Sequence, residues 1–181
     1  MKTLLSILLC GAAFAAAADQ DYSKMVTVTK SASPEKQLRF EVTVPATLDD
    51  VWAAFTTRPG LITWLWSDVT VDLRPGGDWT VHYPGGATGG GTIVSLKPRQ
   101  EVVMRAMAPE RFPEVRRERT TAVFDFEAVG SKTRVTLIQT GWKPGKEWDE
   151  AYEYLAKGNA ILLGSLYKRF AEGPIQWDAA K

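Results

Sequence analysis

Between Ser67 and Trp142 the chain alternates apolar and polar residues in six short runs, and one long run of helical periodicity follows at Glu147–Ala171. A period of two places successive side chains on opposite faces, so each short run is a strand with one greasy side. The breaks between runs are too short for parallel crossovers, which leaves an antiparallel meander. "SDVTVDLRPGGDWTVHY" turns about Pro75-Gly76-Gly77, "GGGTIVSLKPRQEVVMRAM" about Lys97-Pro98, and "RTTAVFDFEAVGSKTRVTLIQTGW" about Gly130-Ser131. A sheet of that length with one apolar face must be covered, and the final helix, stopped by Gly173-Pro174, is the only element long enough to do it.

Upstream, "QLRFEVTVP" puts Leu38, Phe40, Val42 and Val44 on one face and ends at Pro45. "ATLDDVWAAFT" reads as a helix with Thr47 as N-cap and Asp49 and Asp50 in its first turn, and "PGLITWLW" as a second short helix. Residues 19–36 are polar and extended, with "MVTVTK" at Met25–Lys30 alternating enough to add a strand. The expected class is α+β: an antiparallel β-sheet wrapped around a long C-terminal α-helix, with two short helices after the first strand closing one end.

The N-terminus reads as a secretory signal over residues 1–18, with Lys2, an apolar core from Leu4 to Phe14, and Ala16-Ala17-Ala18 before Asp19. The apolar stretch falls short of the ~20 residues that span a bilayer. The expectation is therefore a periplasmic or secreted protein with no stable membrane insertion after cleavage. Cys10 is the sole cysteine, so a mature chain holds no disulfide and no Cys-ligated metal. Without Lys2, 21 basic side chains balance 21 acidic ones, which gives no electrostatic case for nucleic acid. The basic run "EVRRERT" at Glu114–Thr120 reads as a solvated loop or strand end.

The long helix contains an anomaly. In "LAKGNAILLGSL" the glycines Gly158 and Gly164 weaken a helix by about 1 kcal/mol each, and Asn159 lies on the apolar stripe Trp148, Tyr152, Leu155, Asn159, Leu162, Leu166, Phe170. Strand parity puts Phe124 beside Ala122 and Phe126, and Gln139 at the end of the row Val135, Leu137. A buried amide without a partner costs roughly 1–3 kcal/mol, so Asn159 and Gln139 must bond something. One account has them bonding each other, backbone or water, with the glycines allowing close packing. The other has Gly158 and Asn159 making room for a ligand and offering it a donor and an acceptor, with Gln139, Phe124, Trp148, Tyr152 and Tyr83 completing the site.

The sequence makes a thin case for catalysis. His82 is the only histidine and its parity is outward, Asp125 and Glu127 also turn outward, and no cluster has metal spacing; no cofactor is expected. Arg105 is a candidate for an anionic substrate only if it turns inward. "PGGATGGGT" at Pro84–Thr92 lacks the Gly-Lys-Ser/Thr ending of a phosphate loop and suits a hairpin at a cavity mouth. Most of the seven tryptophans are core by size, with Trp64 and Trp66 candidates for a pocket rim.

"VPATLDDVWAAFTTRPGLITWL", "DLRPGGDWTV", "TRVTLIQTGW" and "YLAKGNAILLGSLYKRFAEGP" together resemble the START-like, or SRPBCC, helix-grip superfamily. The branch they look most like is the C-terminal domain family of the activator of heat-shock-protein-90 ATPase. The resemblance runs from about Gln37 to Gly173, in a domain expected over residues 37–175 with 176–181 as a tail, and implies a helix-grip fold with a cavity between sheet and helix. Members often carry Trp where this chain has Asn159 and His where it has Gln139. The superfamily includes lipid carriers, plant hormone receptors, polyketide cyclases and co-chaperones, so fold alone does not choose an activity. The leading expectation is binding of a small hydrophobic molecule. The alternatives are a cyclase- or dehydratase-like enzyme using the same cavity, and a protein-interaction module with an unidentified protein partner.

Overall fold

The computed structural model describes residues 20–177, so the signal-peptide expectation lies outside the described residues. A 3-10 turn at Tyr22–Met25 leads into β1 (Thr27–Ser31) and β2 (Gln37–Val44), then α1 (Leu48–Thr56) and α2 (Arg58–Leu61). The meander follows: β3 (Val69–Val71), β4 (Asp78–His82), β5 (Thr88–Lys97), β6 (Glu101–Met107), β7 (Thr120–Val129) and β8 (Lys132–Thr140), with α3 (Pro113–Glu118) between β6 and β7. α4 (Lys146–Glu172) closes the chain. The eight strands form one antiparallel sheet in the order β1-β2-β8-β7-β6-β5-β4-β3. This is the helix-grip α+β architecture: a curved sheet closed around α4.

Register joins the apolar positions into one inner surface. Phe40 pairs with Leu137, Leu137 with Phe124 and Phe124 with Val102, while Trp79 on β4 pairs with Val71 on β3. Along β5 the pairing slips by one residue between Ile93 and Ser95, which turns Val94 outward, 47% exposed.

α1 and α2 plug one end of the space between sheet and helix, as Thr47 caps α1 by accepting from Asp50 N. Phe55 of α1 is fully buried, its ring 4.7 Å from Phe124, 5.2 Å from Phe126 and 5.3 Å from Trp79. The Trp64 and Trp79 indoles donate to Ala54 O and Phe55 O, both at 2.9 Å, so each buried N–H is satisfied. Trp64 is therefore core, not rim.

Two features differ from the sequence expectation. "EVRRERT" contributes most of α3 rather than a solvated loop: Glu147 Oε1 accepts from Glu114 N (2.6 Å) and Val115 N (3.1 Å) and caps the helix from 32 and 33 residues away. The N-terminal segment is also more structured than extended. Its 3-10 turn packs on α4 at Gly164, where a Cβ would lie 2.8 Å from Ser23 N. Among the described residues no helix is long and apolar enough to cross a membrane.

Candidate functional site

α4 packs closely on β2 and the 3-10 turn but stands off from β4 to β7. The inner positions facing that gap are small toward the end away from α1: Gly89, Ala106 and Ala122 there, against Trp79, Phe124 and Leu137 nearer the aromatic plug. The result is a cavity of about 400 Å³, within the range of roughly 300–1,000 Å³ typical of small-molecule sites. Its helix wall is Leu155, Gly158, Asn159 and Leu162, its sheet wall Trp79, Val81, Met104, Ala106, Ala122, Phe124, Leu137 and Gln139. Gly158 takes part by omission: a Cβ built there meets nothing within 4 Å.

One polar chain crosses this apolar wall. Asn159 Nδ2 donates to Gln139 Oε1 at 2.9 Å, and Gln139 Nε2 donates to Thr120 Oγ1 at 2.8 Å. Gln139 is 3% exposed and Thr120 1%, so the bonds answer the cost of burying them. The chain ends at Asn159, a residue of the cavity wall whose Oδ1 meets no donor among the described residues. The amides bond each other, as the first sequence account has it, and Asn159 also lines the cavity, the geometric premise of the second.

The mouth lies between Tyr154 on α4, the Pro109–Glu110 loop, and the Tyr83–Gly90 hairpin. Tyr83 and Tyr154 are 40% and 43% exposed. Burial, followed by the proximity of Tyr154, raises the Tyr83 phenol above its ordinary value, so it stays protonated and neutral. A bracket ties the lips together. Arg116 of α3 donates to Ala108 O (2.7 Å), Thr88 O (3.1 Å) and Thr88 Oγ1 (2.7 Å), while Glu147 of α4 holds the other end of α3. Five donors in a fixed fork suit arginine to joining two backbone segments.

Asn159, Gln139, Gly158, Phe124 and Tyr83 line the cavity; Trp148 and Tyr152 do not, and this corrects their placement from the helical stripe. Trp148 is 1% exposed and donates from Nε1 to Glu114 Oε1 at 3.0 Å. The Tyr152 hydroxyl donates to Gln37 O at 2.9 Å and its ring lies edge-on to Trp142 at 5.0 Å. Periodicity gave the right side of the helix, but it cannot tell at which height the sheet stands off. Arg105 turns outward, bonding Glu118 O and Arg119 O, and His82 meets Thr70 Oγ1 at 3.0 Å on the outer face. Trp66 packs tilted against Tyr83, 5.7 Å between centroids, and does not itself line the cavity. Among the described residues no group of three or more His, Cys, Asp or Glu is placed to hold a metal.

The sequence reading missed Thr120, Tyr154, Arg116 and Glu147. Thr120 was detectable, since it shares the parity of Ala122 and Phe124. Arg116 and Glu147 carried no local signal.

Comparison with known proteins agrees with this geometry. The fold matches the Aha1 dimer from Colwellia psychrerythraea at a TM-score of 0.63 and 20% identity, covering 76% of this chain and 97% of that one. CalU16 from Micromonospora echinospora matches at 0.59 and 17%, covering 83% and 85%. DynU16, from the dynemicin biosynthetic locus, matches at 0.61 and 18%, covering 78% of this chain and 49% of that one. Identities this low establish a shared fold. No curated protein matches the chain. The family model described as Activator of Hsp90 ATPase homolog 1-like protein matches residues 45–171, which takes in both the plug and the amide-bearing helix. The chain belongs to the Activator of Hsp90 ATPase homolog 1-like family.

Proposed function

We propose that this protein is exported and binds a small hydrophobic molecule in the cavity between its sheet and C-terminal helix. The observation that carries the reading is a space of about 400 Å³ with apolar walls and an unspent acceptor on its helix wall, Asn159 Oδ1. Burying apolar ligand surface there gains roughly 25 cal/mol per Å², and a few fixed polar groups orient it. The titratable side chains at the cavity, Tyr83, Tyr154 and Glu110, all stand at the mouth and are exposed. That distribution favours holding a molecule over transforming one.

The test is native mass spectrometry of the mature protein purified gently from its own compartment. The reading predicts a mature chain that begins at Asp19 and a reproducible adduct of a few hundred daltons, in the range of drug-sized ligands, lost when Gly158→Phe fills the cavity. An intact N-terminus contradicts export. An adduct that persists in Gly158→Phe contradicts the site.

A further inference from the structure

The chemistry of the wall narrows the class of molecule, and this step rests on the ligand-binding reading above. Asn159 donates to Gln139 and Gln139 to Thr120, so both amides spend a donor inward along the chain. At the cavity Asn159 therefore keeps an unspent acceptor, Oδ1, and the second hydrogen of Nδ2, a pair that a hydroxyl can serve on both sides. An acceptor in an apolar wall is satisfied by a donor, and a hydroxyl supplies one without charge.

Charged head groups fit poorly. The one charged side chain at the cavity is Glu110, exposed at the rim with Arg116 3.9 Å away. No cation lines the interior among the described residues, and the Arg116 fork is already bonded to Thr88 and Ala108. A carboxylate turned inward would lose its water with no partner. Turned outward, it would reach a mouth that carries Arg111, 5.1 Å from the Tyr154 ring, as well as Glu110, and would leave Asn159 Oδ1 against its apolar tail.

We infer that the cavity selects uncharged apolar molecules that carry a hydroxyl, which enters first and donates its hydrogen bond to Asn159 Oδ1. Tyr83 and Tyr154 then flank the apolar trailing end at the mouth. Asn159 is the residue that reads the hydroxyl; Gln139 and Thr120 position it by holding its amide in one orientation.

The test compares octan-1-ol, its isomer 1-methoxyheptane and octanoate in displacing the neutral fluorophore N-phenyl-1-naphthylamine from the mature protein. The alcohol and ether have the same atoms and differ only in the O–H. One hydrogen bond predicts the alcohol roughly three- to tenfold tighter than the ether, with octanoate weakest. In Asn159→Leu the alcohol and ether converge, each referred to that variant's own affinity for the fluorophore; Asn159→Ala serves if the leucine variant fails to fold. Equal wild-type affinities, a preference that survives in the Asn159 variant, or octanoate as the tightest ligand overturns the assignment. A wild-type protein that binds neither the fluorophore nor any of the three overturns the cavity reading itself.

Discussion

Gly158 and Gly164 lie on the same helix and answer to opposite constraints. A Cβ at Gly158 meets nothing within 4 Å, whereas one at Gly164 would meet Ser23 N and Tyr22 C at 2.8 Å. Gly158→Ala should therefore stabilise the protein by up to about 1 kcal/mol, the ordinary helix gain. Gly164→Ala should cost about 1–3 kcal/mol, because the backbone it strikes cannot rotate aside. Urea denaturation of the two variants checks both signs. Asp125 gives a third prediction at this scale. Burial, with Glu101 directly opposite it on β6, raises its carboxyl above the ordinary value. The folded state thus holds this proton more tightly than the unfolded one, and the contribution of Asp125 to stability falls as pH rises through the carboxylate range. Asp125→Asn should raise the urea midpoint at neutral pH, with the gain vanishing below the carboxylate range. A gain independent of pH would show that charge is not its cause.

At the scale of elements, the strands and α4 were legible because each repeats one rule over many residues. β2 alternates cleanly, and its observed bounds Gln37–Val44 follow from Leu38, Phe40, Val42, Val44 and the stop at Pro45. α3 was not legible, since its six residues begin at Pro113 after Phe112, which supplies no side-chain cap. Its cap is Glu147, an acidic residue of another helix, and its far end is held through Arg116 to Thr88. Short helices made by distant partners leave little trace in local sequence. The bracket they form spans the mouth, so loosening it should change access more than affinity. Arg116→Met, which keeps the apolar stem and removes the fork, is predicted to speed release of N-phenyl-1-naphthylamine severalfold. Its equilibrium affinity should move less, because entry accelerates too. Stopped-flow fluorescence separates the two; a change in affinity with unchanged rates would mean that Arg116 shapes the wall rather than the entrance.

For the whole molecule, the governing fact is that one long helix lies against only one side of a curved sheet. α4 seats on β2, and the glycine at 164 lets the N-terminal turn lock it there. Opposite β4 to β7 the small inner residues leave space that the aromatic plug around Phe55 does not fill. The sequence anomaly at Gly158-Asn159 marked that place, while the inclusion of Trp148 and Tyr152 overshot it. Both lie on the same stripe about two and three turns earlier, where β2 and α3 close over the helix. Where the sheet diverges is a property of tertiary curvature, which no single helix encodes.

The most direct test is a residue-resolved NMR titration of the mature protein with N-phenyl-1-naphthylamine, with the side-chain amides assigned. Saturable shifts centred on Leu137, Gln139, Asn159 and Leu162, including the Asn159 side-chain NH₂, and absent in Gly158→Phe, are the predicted result. Shifts confined to the outer face of the sheet or to the edge strand β1, with those four residues unmoved, would contradict the account.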